Sequence, residues 1–410
     1  MRRLLGPIGL LGVAAFSGPI LSLIAVPVII SRVGPEDWSA LAVGQSVGSL
    51  AAIPVALGFA VTGTVRVARL PEAEQAALAR QSMAARLIAG PVLILLAAVV
   101  AALIVTEHAI AAGLAAVAVS GVGLDLGWFF IGQGRPLRLL LWDTTPKAAG
   151  TLLGIAAVLL GAGVLGFAAA QVLGTATAVV GSALRAQRGA ARQSARWSPR
   201  GVLADSRRQG YALGVAASTS AYLSVPTVLV AILLPDATAL FALIERISRS
   251  FGLAVTPVLQ WLQQSTRLDG DVARQVSRFR SRALLFALGY GVLAALVAPL
   301  ALTVLSAGTV SAHPLVFGLL GLTVAASAVG RLVGGVILQH LDRVRRLFAA
   351  TLTGAAVAAV TVPLGILLAG LDGAVVAVAA AELAVATGVL SGSGRPRRED
   401  DVTGAADATS

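Results

Sequence analysis

One stretch of the sequence places charged side chains in an apolar setting. Glu245, Arg246 and Arg249 stand in the run 237–262, whose other residues are mostly apolar. If this run is a helix beginning near Pro235, Glu245 lies about 15 Å along it and Arg249 about 6 Å further. Guanidinium groups match phosphate oxygens, so Arg246 and Arg249 are candidates to hold a phosphate or pyrophosphate. The alternative is that Glu245 and Arg249, four residues apart, pair with each other, which leaves Arg246 unmatched.

Further polar residues interrupt other apolar runs. Gln45 occupies the place in the first half of the chain that Glu245 holds in the second, and Arg331 is a third candidate cation. Arg331 could instead extend to the inner membrane interface. Ser220 and Tyr222 are candidates to meet substrate hydroxyls, although small polar residues also serve close helix packing. Together these residues are the predicted substrate site.

Two acids and one aromatic cluster complete the set of candidates. Asp125 and Glu382 are candidate sites for Na+ or H+, because buried carboxylates titrate within an accessible range. The alternative is an inter-helix salt bridge, for example with Arg331. The aromatic residues 128–130 are expected in an interfacial belt, with sugar stacking as the alternative.

The composition determines the class of element that must position these residues. The 410 residues are 57% hydrophobic and 12% charged, whereas a soluble domain carries about 25% charged residues. Apolar runs of about 20 residues cross a bilayer, and about twelve such runs are predicted. They are 4–30, 39–61, 87–105, 109–131, 139–160, 164–184, 211–234, 237–262, 283–305, 314–338, 347–368 and 373–390.

The basic residues predict the orientation of these runs. The chain has 31 Lys and Arg against 19 Asp and Glu, and most of the basic residues lie in alternate connecting segments. Cytoplasmic loops carry such an excess, so both termini are expected in the cytoplasm and the protein in the cytoplasmic membrane as a multi-pass protein. The positive charge then needs no nucleic-acid partner.

The remaining residues do not indicate catalysis. The three His lie apart near the ends of runs, Cys is absent, and no Walker-type phosphate loop occurs. The predicted external segments are too short to hold a catalytic domain, which argues against a membrane glycosyltransferase or polymerase. We therefore expect a protein that is not an enzyme and has no cofactor, no metal site and no catalytic residue.

The chain divides into two halves with a weak internal repeat. Residues 1–184 form a predicted first lobe, 185–209 a basic cytoplasmic linker, 210–394 a second lobe and 395–410 a disordered cytoplasmic tail. Val26-Pro27 recurs as Val225-Pro226, Pro35 as Pro235, and Pro54 as Pro257. Two six-helix repeats of the same orientation pack about an axis normal to the membrane, which places a cavity between them.

Two stretches carry a family resemblance. Residues 26–69, with Gly34, Pro35 and Gln45, and residues 121–138, with Asp125 and Trp128, resemble polysaccharide flippases of the O-antigen type. These belong to the multidrug/oligosaccharidyl-lipid/polysaccharide exporter superfamily. The sequence departs from the family at Trp38, where a tyrosine followed by glycine is more common. The resemblance implies an all-α, V-shaped membrane transporter of two six-helix lobes that open alternately to each face.

The same resemblance implies a function. The expected activity moves a polyprenyl-pyrophosphate-linked oligosaccharide from the cytoplasmic to the outer leaflet for cell-surface polysaccharide synthesis. Its expected partners are membrane lipid, the lipid-linked saccharide, coupling Na+ or H+, and polysaccharide assembly enzymes. The alternatives are a cation-coupled multidrug exporter and a lipid II flippase of the same superfamily. Arginines in the run 237–262 favour an anionic ligand, since drug exporters usually bind cationic drugs through acidic residues.

Overall fold

The computed structural model describes residues 2–187, 210–266, 271–341 and 343–394. The described residues form helices and no β-strand. The α-helices of the first half are α1 (Arg2–Val33), α2 (Pro35–Ala56), α3 (Phe59–Arg69), α4 (Glu72–Ile104), α5 (Ala109–Ser120), α6 (Gly127–Gly132), α7 (Pro136–Leu139), α8 (Thr145–Leu159) and α9 (Gly163–Gln187). Those of the second half are α10 (Gly210–Leu233), α11 (Thr238–Ala254), α12 (Thr256–Ser265), α13 (Val272–Leu305), α14 (Pro314–Leu332) and α15 (Val344–Gly394).

The described helices confirm the predicted all-α fold class. Eight of the described helices are long and apolar enough to cross a membrane, and shorter apolar helices accompany them. Every predicted run falls on a helical segment. The number twelve, the cytoplasmic termini and the domain boundaries stay predictions. The predicted linker beyond Gln187 and the predicted tail 395–410 lie outside the described residues.

Several predicted runs are not continuous α-helices. The second run breaks at Leu57 and Gly58, both with positive φ, and continues as α3. The eighth run breaks at Val255 between α11 and α12, which is nearly the equivalent place in the repeat. Runs eleven and twelve both lie in α15, separated by a kink at Ala369 and Gly370. The first two breaks orient the short helices α3 and α12 at the predicted inner end of each lobe.

The hydrophobic core is arranged differently at the two ends of the molecule. Near the predicted outer end, one cluster combines Ile30 and Trp38 of the first lobe with Phe241 and Val316 of the second. Near the predicted inner end, each lobe has its own cluster, and neither contains residues of the other lobe. The lobes are therefore packed together at one end and have separate cores at the other.

Small residues allow the helices of the first lobe to approach closely. Gly44 and Gly48, four residues apart on α2, face the backbone of α5. A Cβ at Gly48 would lie 2.7 Å from the Ala116 carbonyl oxygen and 2.9 Å from the Val119 Cβ. Such small-residue contacts are typical of packing between membrane helices. Gly44 and Gly48, which are close to Gln45 in the sequence, therefore have a structural role.

Replacing Gly48 with alanine should destabilise the first lobe. The added methyl group must displace the backbone of α5, and overpacking of this kind costs about 1–3 kcal/mol. We expect a lower melting temperature in detergent. Gly18→Ala is the matched control, because a Cβ there meets nothing within 4 Å. Equal melting temperatures for the two variants would show that α2 and α5 do not pack as closely as described.

Candidate functional site

A cavity of about 270 Å³ lies between the two lobes. Its walls come from α1, α2 and α5 on one side and from α10 and α11 on the other. Four predicted site residues line it together, namely Gln45, Glu245, Arg246 and Arg249, and Ser22 joins them. The cavity is located below the shared outer core, where the two lobes begin to have separate cores.

Arg246 connects the lobes across this cavity. Its guanidinium donates hydrogen bonds to the Gln45 Oε1 at 3.3 Å, to the Ser22 carbonyl oxygen at 3.4 Å and to the Ser22 Oγ. All these acceptors are neutral, and Arg246 forms no ion pair with any described residue. Arg246 therefore lines the cavity without a charged partner among the described residues.

Arg249 and Glu245 form the local pair that was the alternative interpretation. The Arg249 Nη2 donates to the Glu245 Oε2 at 2.8 Å and to the Leu223 carbonyl oxygen. The Thr227 hydroxyl donates to the same Glu245 oxygen. The Arg249 Nε is buried and has no hydrogen-bond partner in the described part of the chain. The Glu245–Arg249 pair is neutral as a whole, and it leaves one buried donor of Arg249 unsatisfied among the described residues.

Gln45 and Ser220 contribute contacts between elements. The Gln45 Nε2 donates to the Gln171 Oε1 at 3.5 Å, which orients the amide so that its oxygen faces Arg246. Ser220 of α10 donates to the Ser49 carbonyl oxygen of α2 at 3.2 Å, across the lobe interface. Ser220 thus connects the lobes, while Ser49 itself lines the cavity.

Tyr222 and Glu382 lie in a second, smaller cavity inside the second lobe. This cavity, of about 40 Å³, shares Glu245 and Arg249 with the first. Glu382 is 5% exposed and forms no hydrogen bond or ion pair with a described residue. Arg331 is half-buried beside Tyr290 and Gly252 and acts electrostatically on Glu382 without forming an ion pair with it. The structure therefore separates Arg331 from the inter-lobe cavity.

Asp125 lies elsewhere, in the inner part of the first lobe. It accepts a hydrogen bond from the Lys147 ammonium group at 2.6 Å, and the same group binds the Asp143 carboxylate at 2.7 Å. The inter-helix salt bridge that was the alternative for Asp125 therefore forms, but with Lys147 and not with the suggested Arg331. The backbone is irregular at both carboxylates, since Asp125 follows a 3₁₀ turn and Asp143 lies in a π-helical segment.

The aromatic residues 128–130 do not form an interfacial belt, so that prediction was wrong. Trp128, Phe129 and Phe130 are at most 5% exposed and belong to the inner core of the first lobe. The helix break at Asp125 turns α6 into this core. There Trp128 stacks with Phe59, with ring centroids 5.6 Å apart. Burial within the lobe also removes these rings from the inter-lobe cavity.

Arg86 is the charged residue that sequence reasoning placed least well. It immediately precedes the predicted run 87–105, but it lies within α4 and is 1% exposed. Its guanidinium donates to the carbonyl oxygens of Gly123 and Asp125 at 2.9 and 2.8 Å, and it lies over the Phe59 and Trp128 rings. Arg86 therefore satisfies the backbone where the fourth run is broken.

Sequence reasoning also missed five polar residues that form these contacts: Ser22, Thr227, Gln171, Lys147 and Asp143. Each is a single polar residue in or beside an apolar run, and its partner is distant in sequence or on a neighbouring helix. The spacing of Asp143 and Lys147, four residues apart, was the one available signal.

Solved structures share this architecture over nearly its full length. The inward-facing conformation of a multidrug resistance MATE family transporter of the MOP superfamily matches with a TM-score of 0.67 at 17% identity, covering 98% of this chain and 99% of that one. The chain has a MATE-type transporter fold. The outward-facing conformation of a transporter of the same description has a TM-score of 0.50 at 17% identity, covering 98% and 97% of the two chains. No protein-family model matches the sequence, and no curated protein does either.

The MATE-type fold agrees with the superfamily suggested by the resemblance at residues 26–69 and 121–138. The finer assignment to flippases of the O-antigen type stays a prediction. The matched structures are of transporters, which is the class of protein expected from the two-lobed arrangement.

Proposed function

We propose that this chain is a membrane transporter that moves a polyprenyl-pyrophosphate-linked oligosaccharide from the cytoplasmic to the outer leaflet by alternating access. The observation that carries the proposal is Arg246, whose guanidinium lines the inter-lobe cavity without a carboxylate partner. A charged side chain within the membrane costs about 2.5–3.5 kcal/mol on insertion scales. A cation retained at that cost in a cavity is typical of a binding site for an anion.

The charges around the cavity favour an anionic ligand. Among the described residues that line the cavity, Glu245 is the one acid, and it is already engaged by Arg249 and Thr227. Arg246 therefore leaves the lining with one net positive charge. The Arg249 guanidinium lines the same cavity about one helical turn from Arg246. Two guanidinium groups at this spacing suit a pyrophosphate, since both can bind its oxygens at once.

Hydroxyl groups near the arginines could meet a saccharide. Ser22, Ser46, Ser49 and Ser250 line the same cavity. Their hydroxyls donate or accept hydrogen bonds according to need, which suits sugar hydroxyls of varied orientation. The cavity therefore contains both arginines that could bind an anion and neutral hydroxyl groups that could bind a sugar.

The core arrangement supports alternating access. The lobes share a core at the predicted outer end and have separate cores at the predicted inner end, so the described state is closed outside. The reverse state requires the outer cluster to separate and the contacts of Arg246 with Ser22 and Gln45 to change. A ligand anion that binds Arg246 would compete for those contacts and would bias the equilibrium between the states.

Coupling and partners belong to the same proposal. Glu382 is the candidate coupling carboxylate for Na+ or H+, because it is buried and unpaired among the described residues. Asp125 is the second candidate, although Lys147 holds it. Membrane lipid and polysaccharide assembly enzymes are the proposed partners.

A multidrug exporter is the second candidate, favoured by the description of the solved structures that match the fold. The two functions differ in the charge of the ligand. A cationic drug would meet Arg246 and Arg249 with Glu245 already paired, which makes the cavity unfavourable for it. The binding preference of the purified protein therefore separates the candidates.

The test uses the full chain in nanodiscs and three ligands. We expect a polyprenyl-pyrophosphate-linked oligosaccharide to bind in a saturable manner, and to lose affinity as the salt concentration rises. The uncharged polyprenol and the lipophilic cation tetraphenylphosphonium should bind at least tenfold more weakly. Preference for the cation would overturn the proposal in favour of drug export. Preference for a disaccharide lipid that carries a peptide would indicate a lipid II flippase.

A further inference from the structure

The membrane-facing side of α13 carries an open groove that the central cavity does not use. Leu285, Phe286, Tyr290 and Leu293 line it around Gly289, and its volume is about 480 Å³. A Cβ at Gly289 would meet nothing within 4 Å, so this glycine leaves a notch in the helix surface. The groove is apolar apart from its inner end, where Arg282 joins the lining.

Aromatic contacts hold one wall of the groove in place. The Phe286 and Tyr290 rings stack with centroids 5.6 Å apart and an interplanar angle of 14°. The Tyr290 hydroxyl donates to the Phe251 carbonyl oxygen of α11 at 2.8 Å, and the Phe251 ring meets Tyr290 edge-on. This wall is therefore preorganised and does not depend on an occupant to order it.

Positive charge lies at one end of the same face. Arg278 and Arg282 are four residues apart on α13, so their side chains are neighbours on the helix surface. Both are exposed, and neither forms an ion pair with a residue that the structure describes. Like charges at this spacing repel each other, and an anion bound between them would remove the repulsion.

The length of the groove matches one leaflet of a bilayer. Arg282 immediately precedes the predicted run 283–305 and thus lies at the predicted inner interface. From Arg282 to Leu293 the helix rises about 16 Å, and half of a hydrocarbon core about 30 Å thick is about 15 Å. A lipid with its head group at Arg282 would extend its chain to the end of the groove.

The geometry points to a binding site for an anionic phospholipid of the inner leaflet on α13. Its phosphate binds Arg282 and Arg278, and one acyl chain lies along Gly289 against the Phe286 and Tyr290 rings. An ordinary annular contact requires neither the notch nor the unpaired arginines on the same face. The site does not rest on the proposed function, because it involves neither the inter-lobe cavity nor its ligand.

The experiment measures lipid binding to the purified full chain by native mass spectrometry. Phosphatidylglycerol and phosphatidylcholine with identical acyl chains, and polyprenyl phosphate, are titrated separately. Arg282→Gln should weaken the tightest phosphatidylglycerol binding about fivefold, which corresponds to about 1 kcal/mol per basic residue at an anionic surface. Gly289→Leu should abolish that binding by filling the notch. The controls are Arg69→Gln, which removes an exposed arginine at the inner end of the first lobe, and Gly318→Leu, another exposed glycine with open space around it.

Each outcome decides the proposal. Loss in both α13 variants, with both controls like the wild type, supports it. Equal loss in Arg69→Gln would show that general surface charge binds the lipid and would overturn it. Loss in Gly289→Leu without loss in Arg282→Gln would reduce the groove to an apolar contact and would also overturn it. Stronger binding of polyprenyl phosphate than of phosphatidylglycerol would assign the groove to a carrier lipid instead.

Discussion

Arg246→Ala should abolish transport of the lipid-linked saccharide while leaving normal amounts of protein in the membrane. The variant removes a guanidinium that lines the inter-lobe cavity and has no carboxylate partner in the described part of the chain. A charge-assisted hydrogen bond contributes about 1.5–3 kcal/mol, so we expect the affinity for a pyrophosphate lipid to fall about 10- to 100-fold. Removing an unpaired buried charge should not destabilise the fold, because the acceptors on Ser22 and Gln45 are neutral. Surface polysaccharide in a complementation assay and ligand binding in nanodiscs give the two readouts.

Three variants separate charge from geometry in that result. Arg246→Lys keeps the charge but loses the planar fork, so it should retain part of the affinity. Arg249→Ala should also reduce binding, and it additionally leaves Glu245 with Thr227 alone. The double variant of Arg246 and Arg249 should make no surface polysaccharide. Normal polymer from the double variant would remove the phosphate-binding role from both residues.

Lys147→Met should strongly destabilise the first lobe. It leaves the Asp125 and Asp143 carboxylates without their shared cation. Removing one partner of a buried ion pair costs about 3–5 kcal/mol. The Asp125 carboxylate would still accept a hydrogen bond from the Gly127 N–H, and the Asp125 backbone carbonyl would still accept one from Arg86. Neither contact neutralises both carboxylates. We expect a large drop in the melting temperature in detergent.

A second substitution tests the electrostatic explanation. In Lys147→Met combined with Asp143→Asn, one negative charge is removed together with the positive one, so part of the lost stability should return. Lys147→Arg, which keeps the charge, should lie closer to the wild type. If Lys147→Met melts at the wild-type temperature, the ion pairs at Asp125 and Asp143 do not stabilise the lobe. If the double variant is less stable than Lys147→Met, packing and not charge explains the loss.

The positions of the predicted site residues show which features of the site can be predicted from periodicity and composition. Gln45, Glu245, Arg246 and Arg249 line one cavity because the internal repeat brings the equivalent faces of α2 and α11 together. A repeat of the same orientation predicts such a central site. Tyr222 and Glu382 lie in a cavity inside one lobe, and Arg331 lies beside Tyr290. The position of each of these residues within its apolar run could be predicted from the sequence. The direction of its side chain around the helix axis could not.

For Arg86 and residues 128–130, the hydropathy pattern predicts the wrong location. A hydropathy pattern treats an arginine at the edge of an apolar run as a loop residue and aromatic residues there as an interfacial belt. The break at Asp125 changes both, because exposed backbone carbonyls need a donor inside the lobe and the turned segment carries its aromatic rings inwards. Backbone groups within a membrane must be satisfied internally, and a break cannot be located without knowing what satisfies it.

The sequence by itself determined that this protein is a helical membrane protein and which charged residues stand within its apolar runs. Those conclusions rest on local quantities, namely the length of apolar runs and the cost of burying a charge in lipid. Only the tertiary structure decided which charges pair, which remain available in the cavity, and that Lys147 binds Asp125 while Arg246 connects the two lobes. Pairing depends on contacts between residues far apart in sequence, and a pattern along one chain does not contain those distances.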